Sequence, residues 1–102
     1  MLVYNTTYSM PEGDARNFVI WAKQSYVPQV EADGVLSEGR LLRILNHHDQ
    51  ETECFSVQFS VADSSTLHQW YVRQGKKLAD EMVKLFDGRV VGFSTLMEVI
   101  DD

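Results

Sequence analysis

Apolar and polar positions change their period several times along the chain, and each change predicts an element. Residues 2–8 are rich in Val, Tyr and Thr, which suit a pleated surface, and predict a strand. Ser9-Met10-Pro11-Glu12 then reads as a helix start. Ser9 would cap, Pro11 would need no amide donor in the first turn, and Glu12 would complete a capping box. Ala15, Phe18, Val19, Ala22 and Tyr26 follow as one apolar stripe at helical spacing. Pro28 disfavours helical geometry at Val27, so the helix should end or kink there. One more turn over residues 29–33 would precede Gly34.

Two strands are expected next, over residues 35–46 and 54–61, joined by a polar hairpin turn at residues 47–51. Phe55, Val57, Phe59 and Val61 alternate with Ser56, Gln58 and Ser60. If the turn pairs His48 with Glu51, Leu42 lies opposite Val57 and Ile44 opposite Phe55. That register puts Leu42, Ile44 and Arg40 on the core face with Phe55, Val57 and Phe59. Leu41, Arg43, Leu45, Cys54, Ser56 and Gln58 fall on the other face. Asp63-Ser64-Ser65 offers caps for a second helix, whose stripe is Leu67, Trp70, Tyr71, Leu78, Ala79, Met82, Val83 and Phe86. Gly75 interrupts it and predicts a break or bend. Asp87-Gly88 would end that helix, and residues 89–100 read as a last β-rich segment.

The order β-α-β-β-α-β predicts an α+β, ferredoxin-like fold for residues 1–102 as one domain. A four-stranded antiparallel sheet would carry two helices on one face. The opposite face would then show Leu41, Leu45 and Cys54. The outer segments add apolar positions too, with Leu2, Val3 and Tyr4 adjacent and Val90 beside Val91. A solvated sheet face should be mostly polar. The expected cover is a second copy, which makes the protein a homodimer through the sheet face, a dimeric α+β barrel.

Composition narrows the function classes. Nine Lys and Arg against fifteen Asp and Glu leave a net charge of −6, which disfavours a nucleic-acid partner. One cysteine, Cys54, excludes an internal disulfide and any two-cysteine metal or redox site, and suits a reducing compartment. Residues 1–10 lack the basic and apolar regions of a signal peptide, and the longest apolar run is residues 18–22. A cytoplasmic protein without a membrane partner is expected.

Val27-Pro28, then Gly34 leading into Glu38-Gly39-Arg40-Leu41-Leu42-Arg43, together with Phe55-Ser56-Val57-Gln58-Phe59 and Phe93-Ser94-Thr95-Leu96, resemble a small bacterial family, a domain of unknown function. The resemblance covers nearly the whole chain and implies a ferredoxin-like fold and a homodimer, but no reaction. That family is similar in architecture to the larger dimeric α+β barrel group, which includes antibiotic-biosynthesis-type monooxygenases and haem-degrading enzymes.

Candidate chemistry is sparse. His47, His48, Asp49, Glu51 and Glu53 are the densest set of metal-type ligands, but neighbours on a hairpin point apart, and a solvated tip is expected with no metal. His68, Trp70 and Tyr71, with Asn5, resemble the pocket residues of the haem-degrading branch. The His-to-Trp order differs from that branch, and Asp80 occupies the turn where an axial ligand would be needed. No cofactor is therefore expected. Arg40 on the core face would need a carboxylate, Glu38 or Glu98, or an anionic ligand. Arg43 and Gln58 are expected to bond across the dimer interface, and Cys54 to be a small filler.

The ligand-binding candidates are thus Trp21, Arg40, His68, Trp70 and Tyr71. A non-catalytic module binding a small molecule or a protein is the expected function. The alternative is a cofactor-poor monooxygenase or haem-handling enzyme, with Trp21, Trp70 and Tyr71 walling a pocket and Arg40 or His68 orienting an acidic substrate. An enclosed apolar pocket with polar groups converging on it would favour the alternative, and a solid core between helices and sheet the module.

Overall fold

Alternation in the strands decides which face meets the helices. A computed structural model describes residues 1–46 and 51–100. The elements run β1 (Leu2–Pro11), α1 (Ala15–Trp21), α2 (Val27–Glu31), β2 (Ser37–Ile44), β3 (Thr52–Val61), α3 (Ser64–Trp70), α4 (Lys76–Leu85) and β4 (Val91–Glu98). All three strand pairings are antiparallel, in the order β2-β3-β1-β4. This is the expected ferredoxin-like α+β architecture. Tyr8 and Met10 of β1 and Phe55, Val57, Phe59 and Val61 of β3 are buried with Phe18, Ala22, Val30, Trp70, Leu78, Met82 and Phe86 of the helices. Among the described residues no helix is long and apolar enough to cross a membrane.

Two local expectations are corrected, and two helix interruptions take the weaker of the forms expected. β1 continues to Pro11, and Ser9 pairs with Cys54 and Val91 instead of capping a helix. The Glu12 amide donates to the Glu51 carbonyl at 2.9 Å, so the ladder with β3 wins over the capping box. The helix then starts through a 3-10 turn, Glu12–Asp14, with no side-chain cap.

Pro28 does not end the helix. Residues Ala22–Tyr26 form a π turn, closed by the Val27 amide on the Ala22 carbonyl, and α2 runs on through Pro28. Widening the turn relieves the clash a proline ring makes with the carbonyl four residues back. Gly75 does not break the second helix either. Tyr71–Gly75 is a second π turn, closed by the Lys76 amide on the Tyr71 carbonyl. In each case a seven-residue α-helix ends in a tryptophan, Trp21 or Trp70, and a five-residue π turn follows.

The hairpin register is shifted by one residue from the expected one. Leu41 pairs with Val57, Arg43 with Phe55, Leu42 with Ser56 and Ile44 with Cys54. A shift of one exchanges the faces. Leu41 and Arg43 therefore join the helix side, whereas Leu42, Ile44 and Arg40 lie on the open face. Arg43 packs its guanidinium 4.9 Å from the centre of the Phe55 ring and donates to Glu53 at 2.9 Å. It therefore lies on the helix side and not on the face expected to meet a second copy. Leu45 lies past the end of β2 and is exposed. An irregularity between Ser37 and Arg40, with Glu38 at φ 55°, adds a residue to β2.

The second helix starts as expected. The Asp63 carboxylate accepts the Thr66 amide at 2.7 Å, and this bond holds the carboxyl below its usual pKa. A carboxylate whose folded pKa is depressed stabilises fully above the ordinary carboxylate range and loses that contribution as pH falls through the folded value. Asp63→Ala should therefore lower the Tm at neutral pH, and the gap to the parent should narrow below about pH 4. Thermal melts of parent, Asp63→Ala and Asp63→Asn across pH check this, since the asparagine keeps a cap that does not titrate.

Candidate functional site

The space between helices and sheet is not solid. A cavity of about 370 Å³, partly open to solvent, lies between β1, β4 and the two helical arms. Trp21, Tyr26, Trp70 and Tyr71 supply rings from the helices, and Tyr4, Thr6, Tyr8 and Ser94 supply the strand side. Trp21 stacks on Tyr26 with centroids 4.8 Å apart and planes 23° apart. Trp70 meets Tyr4 edge-on at 6.3 Å. Trp70 is almost fully buried, and its indole Nε1 has no hydrogen-bond partner among the described residues.

Two π turns and one strand explain the wall. Each π turn delivers a tyrosine to the cavity, Tyr26 or Tyr71, next to its tryptophan. On β1 the positions Tyr4, Thr6 and Tyr8 alternate toward the helices, and Ser94 of β4 pairs with Thr6. The Ser94 hydroxyl bonds to Tyr4 Oη at 3.1 Å and to Thr6 Oγ1 at 3.0 Å. Tyr8 and Tyr26 lie further inward, both buried. Burial pushes the Tyr8 phenol up to about 12 and lifts Tyr26 well above its ordinary value. Both stay neutral donors at physiological pH. Among the described residues, no side chain lining the cavity belongs to Asp, Glu, Lys, Arg or His.

Of the expected candidates, Trp21, Trp70 and Tyr71 meet in this cavity. His68 is exposed and lines a neighbouring groove that shares Tyr4, Tyr71 and Ser94 with it. Arg40 is not part of the site. It sits exposed on the opposite sheet face beside Gln58, because of the shifted register. Glu98 lies on the far edge strand, so no pairing between them forms within the chain. Tyr4, Thr6, Tyr8, Tyr26 and Ser94 were missed. Their signal was the i, i+2 spacing of hydroxyl residues in β1, which reads first as strand propensity.

The haem-type set does not assemble. Asn5 faces away from the helices, where the Ser56 hydroxyl donates to its Oδ1 and its own Nδ2 donates to Thr7. Trp70 and His68 are on the other side of the sheet, so no haem pocket is built from these residues. His47, His48 and Asp49 of the hairpin cluster lie outside the described residues. Among the described residues no group of three or more metal-type ligands occurs.

The open face has its own pattern. Its inner strands carry Ser60, Gln58, Ser56 and Cys54 beside Val3, Asn5, Thr7 and Ser9. Its outer strands carry Leu42 and Ile44 on one edge and Val91, Phe93 and Met97 on the other. Gln58 donates to Ser56, which closes a polar network with Asn5 and Thr7.

Comparison with known proteins agrees with this geometry at the level of fold. The model of the family described as a domain of unknown function, DUF4286, matches residues 1–100. No curated protein matches the chain. A dimeric ferredoxin-like protein from an uncultured marine organism is similar, with a TM-score of 0.73 and 12% identity over 99% of this chain and 96% of that one. A candidate antibiotic biosynthesis monooxygenase from Deinococcus radiodurans gives 0.71 and 13% over 100% and 95%. An ethyl tert-butyl ether D family protein from Bacillus halodurans gives 0.69 and 14% over 98% and 100%.

Proposed function

The chain belongs to the DUF4286 family, a domain of unknown function, and we propose that it works as a homodimeric module that binds a small molecule. Residues 1–102 act as one domain, in a cytoplasmic setting that the single cysteine favours. The observation that carries the reading is the cavity of about 370 Å³, walled by rings and neutral hydroxyls. Trp21, Trp70 and Tyr71 bind the ligand, and His68 lies at the adjoining groove.

The dimer rests on the open sheet face. Phe93 is 67% and Val91 62% exposed, and with Leu42, Ile44 and Met97 they flank a polar trough. Apolar ridges on both edges suit a second sheet better than water. Arg40 belongs to this face rather than to a ligand site. Solved relatives of the same fold are described as dimeric, which supports the same assembly here.

Native mass spectrometry of the purified protein tests both parts. A dimer retaining a small molecule is the expected result, and Phe93→Glu should shift it to monomer without loss of helical circular dichroism. A parent protein that is monomeric at micromolar concentration would overturn the dimer.

The aromatic pocket, with hydroxyls converging on it, also favours a second reading, the cofactor-poor monooxygenase. The candidate monooxygenase of the same fold adds to it. Oxygen uptake stimulated by an aromatic substrate, and abolished by Tyr71→Ala, would put that reading first.

A further inference from the structure

Resting on the small-molecule reading, we propose that the pocket takes an uncharged, flat aromatic compound carrying one hydroxyl or carbonyl group, recognised by the hydroxyl row Tyr4, Ser94 and Thr6. Three properties of the cavity lead there. Its volume of about 370 Å³ is at the low end for small-molecule sites and suits a ligand of roughly two to three fused rings. Its helix wall offers ring faces and edges, with Tyr71 still 40% exposed, so a flat ring can pack there in offset or edge geometry.

Charge is the second property. None of the lining side chains carries charge at neutral pH, so an ionic ligand would be desolvated with no counter-ion. A carboxylate or phosphate is therefore rejected by the same wall that accepts a neutral ring.

The third property is proton bookkeeping along the row. Ser94 holds Tyr4 and Thr6 on either side, at 3.1 and 3.0 Å. A linear run of hydroxyls always has one more O–H than it has links, so one proton is left for an outside acceptor. The oxygens also keep spare lone pairs. A ligand hydroxyl can both accept that proton and donate its own, and a carbonyl can accept it. A bare hydrocarbon can do neither and leaves the row to water.

Isothermal titration calorimetry with 2-naphthol, naphthalene and 2-naphthoate at neutral pH tests the proposal. The three probes share one ring system and differ only in the polar group. We expect 2-naphthol to bind roughly fivefold to tenfold more tightly than naphthalene, the usual worth of one added hydrogen bond. Naphthoate should bind more weakly than naphthalene. Ser94→Ala breaks the row, and with Tyr4→Phe and Thr6→Val in the same variant the preference for 2-naphthol over naphthalene should be lost. Equal affinities for 2-naphthol and naphthalene, or tightest binding of naphthoate, would overturn the ligand class while leaving the pocket in place. Failure of all three probes to bind would instead overturn the pocket reading itself.

Discussion

Phe18→Ala should lower the stability of the protein by about 3–5 kcal/mol, the largest effect expected of any single truncation. Phe18 has no exposed surface, and its ring lies within 5.0 to 6.2 Å of those of Tyr8, Phe55, Trp21 and Phe86. It is where α1, β1, β3 and the end of α4 meet. Removing it takes away the buried area and also leaves a void that four bulky rings cannot easily close. Domains of this size have roughly 5–15 kcal/mol in total, so the variant should sit near the edge of folding. Urea unfolding followed by circular dichroism measures the loss. A drop below about 1 kcal/mol would mean the surrounding rings collapse into the space, and Phe18→Leu separates loss of volume from loss of ring contacts.

Gly75→Ala is expected to destabilise by about 1–3 kcal/mol, opposite in sign to what helix propensity alone gives. An added Cβ would fall 2.5 Å from Trp70 Cζ3 and 2.9 Å from Tyr71 Cδ1. The buried Trp70, 1% exposed, takes the closest contact and cannot withdraw freely, whereas Tyr71, 40% exposed, has more room. The roughly 1 kcal/mol gained from replacing a helical glycine is therefore outweighed by the clash. Because both rings border the cavity, the near-ultraviolet circular dichroism and tryptophan emission should change along with the Tm. A variant more stable than the parent, with unchanged spectra, would show that the π turn has slack this reading denies it.

The two predictions touch residues of very different legibility. The stripe through Phe18 could be read directly, because positions 15, 18, 22 and 26 follow the helical period and all became buried. The alternation of β3 was equally readable. The hairpin register was not, because alternation in β2 fits either face and the observed pairing of residues 40–44 with 54–58 lies one residue from the expected one. Each shift of one residue exchanges the faces, so Arg40 moved from the presumed cleft to the open side. Gly75 reads as a break or bend because of its poor helix propensity, whereas the stripe steps by five from Trp70 to it. That step is the length of a π turn, a geometry that propensity does not signal. Trp21, Trp70 and Tyr71 could be named from type and spacing as inward-facing rings, and they line the cavity. The hydroxyls of Tyr4, Thr6 and Ser94 become a row only when β4 returns beside β1, a pairing some 90 residues apart in sequence.

The paired π turns have a consequence for how the chain can vary in length. A π turn is an α-helix that has absorbed one surplus residue locally while the helix on either side keeps its phase. In the second arm the buried positions Trp70, Gly75, Leu78, Met82 and Phe86 would, with one residue fewer before Gly75, fall into plain helical spacing. Each arm therefore holds a position where a homologous chain can be one residue shorter without reassigning its core. Such a chain would keep the sheet and lose the outward swell beside each tryptophan, where the cavity wall is made.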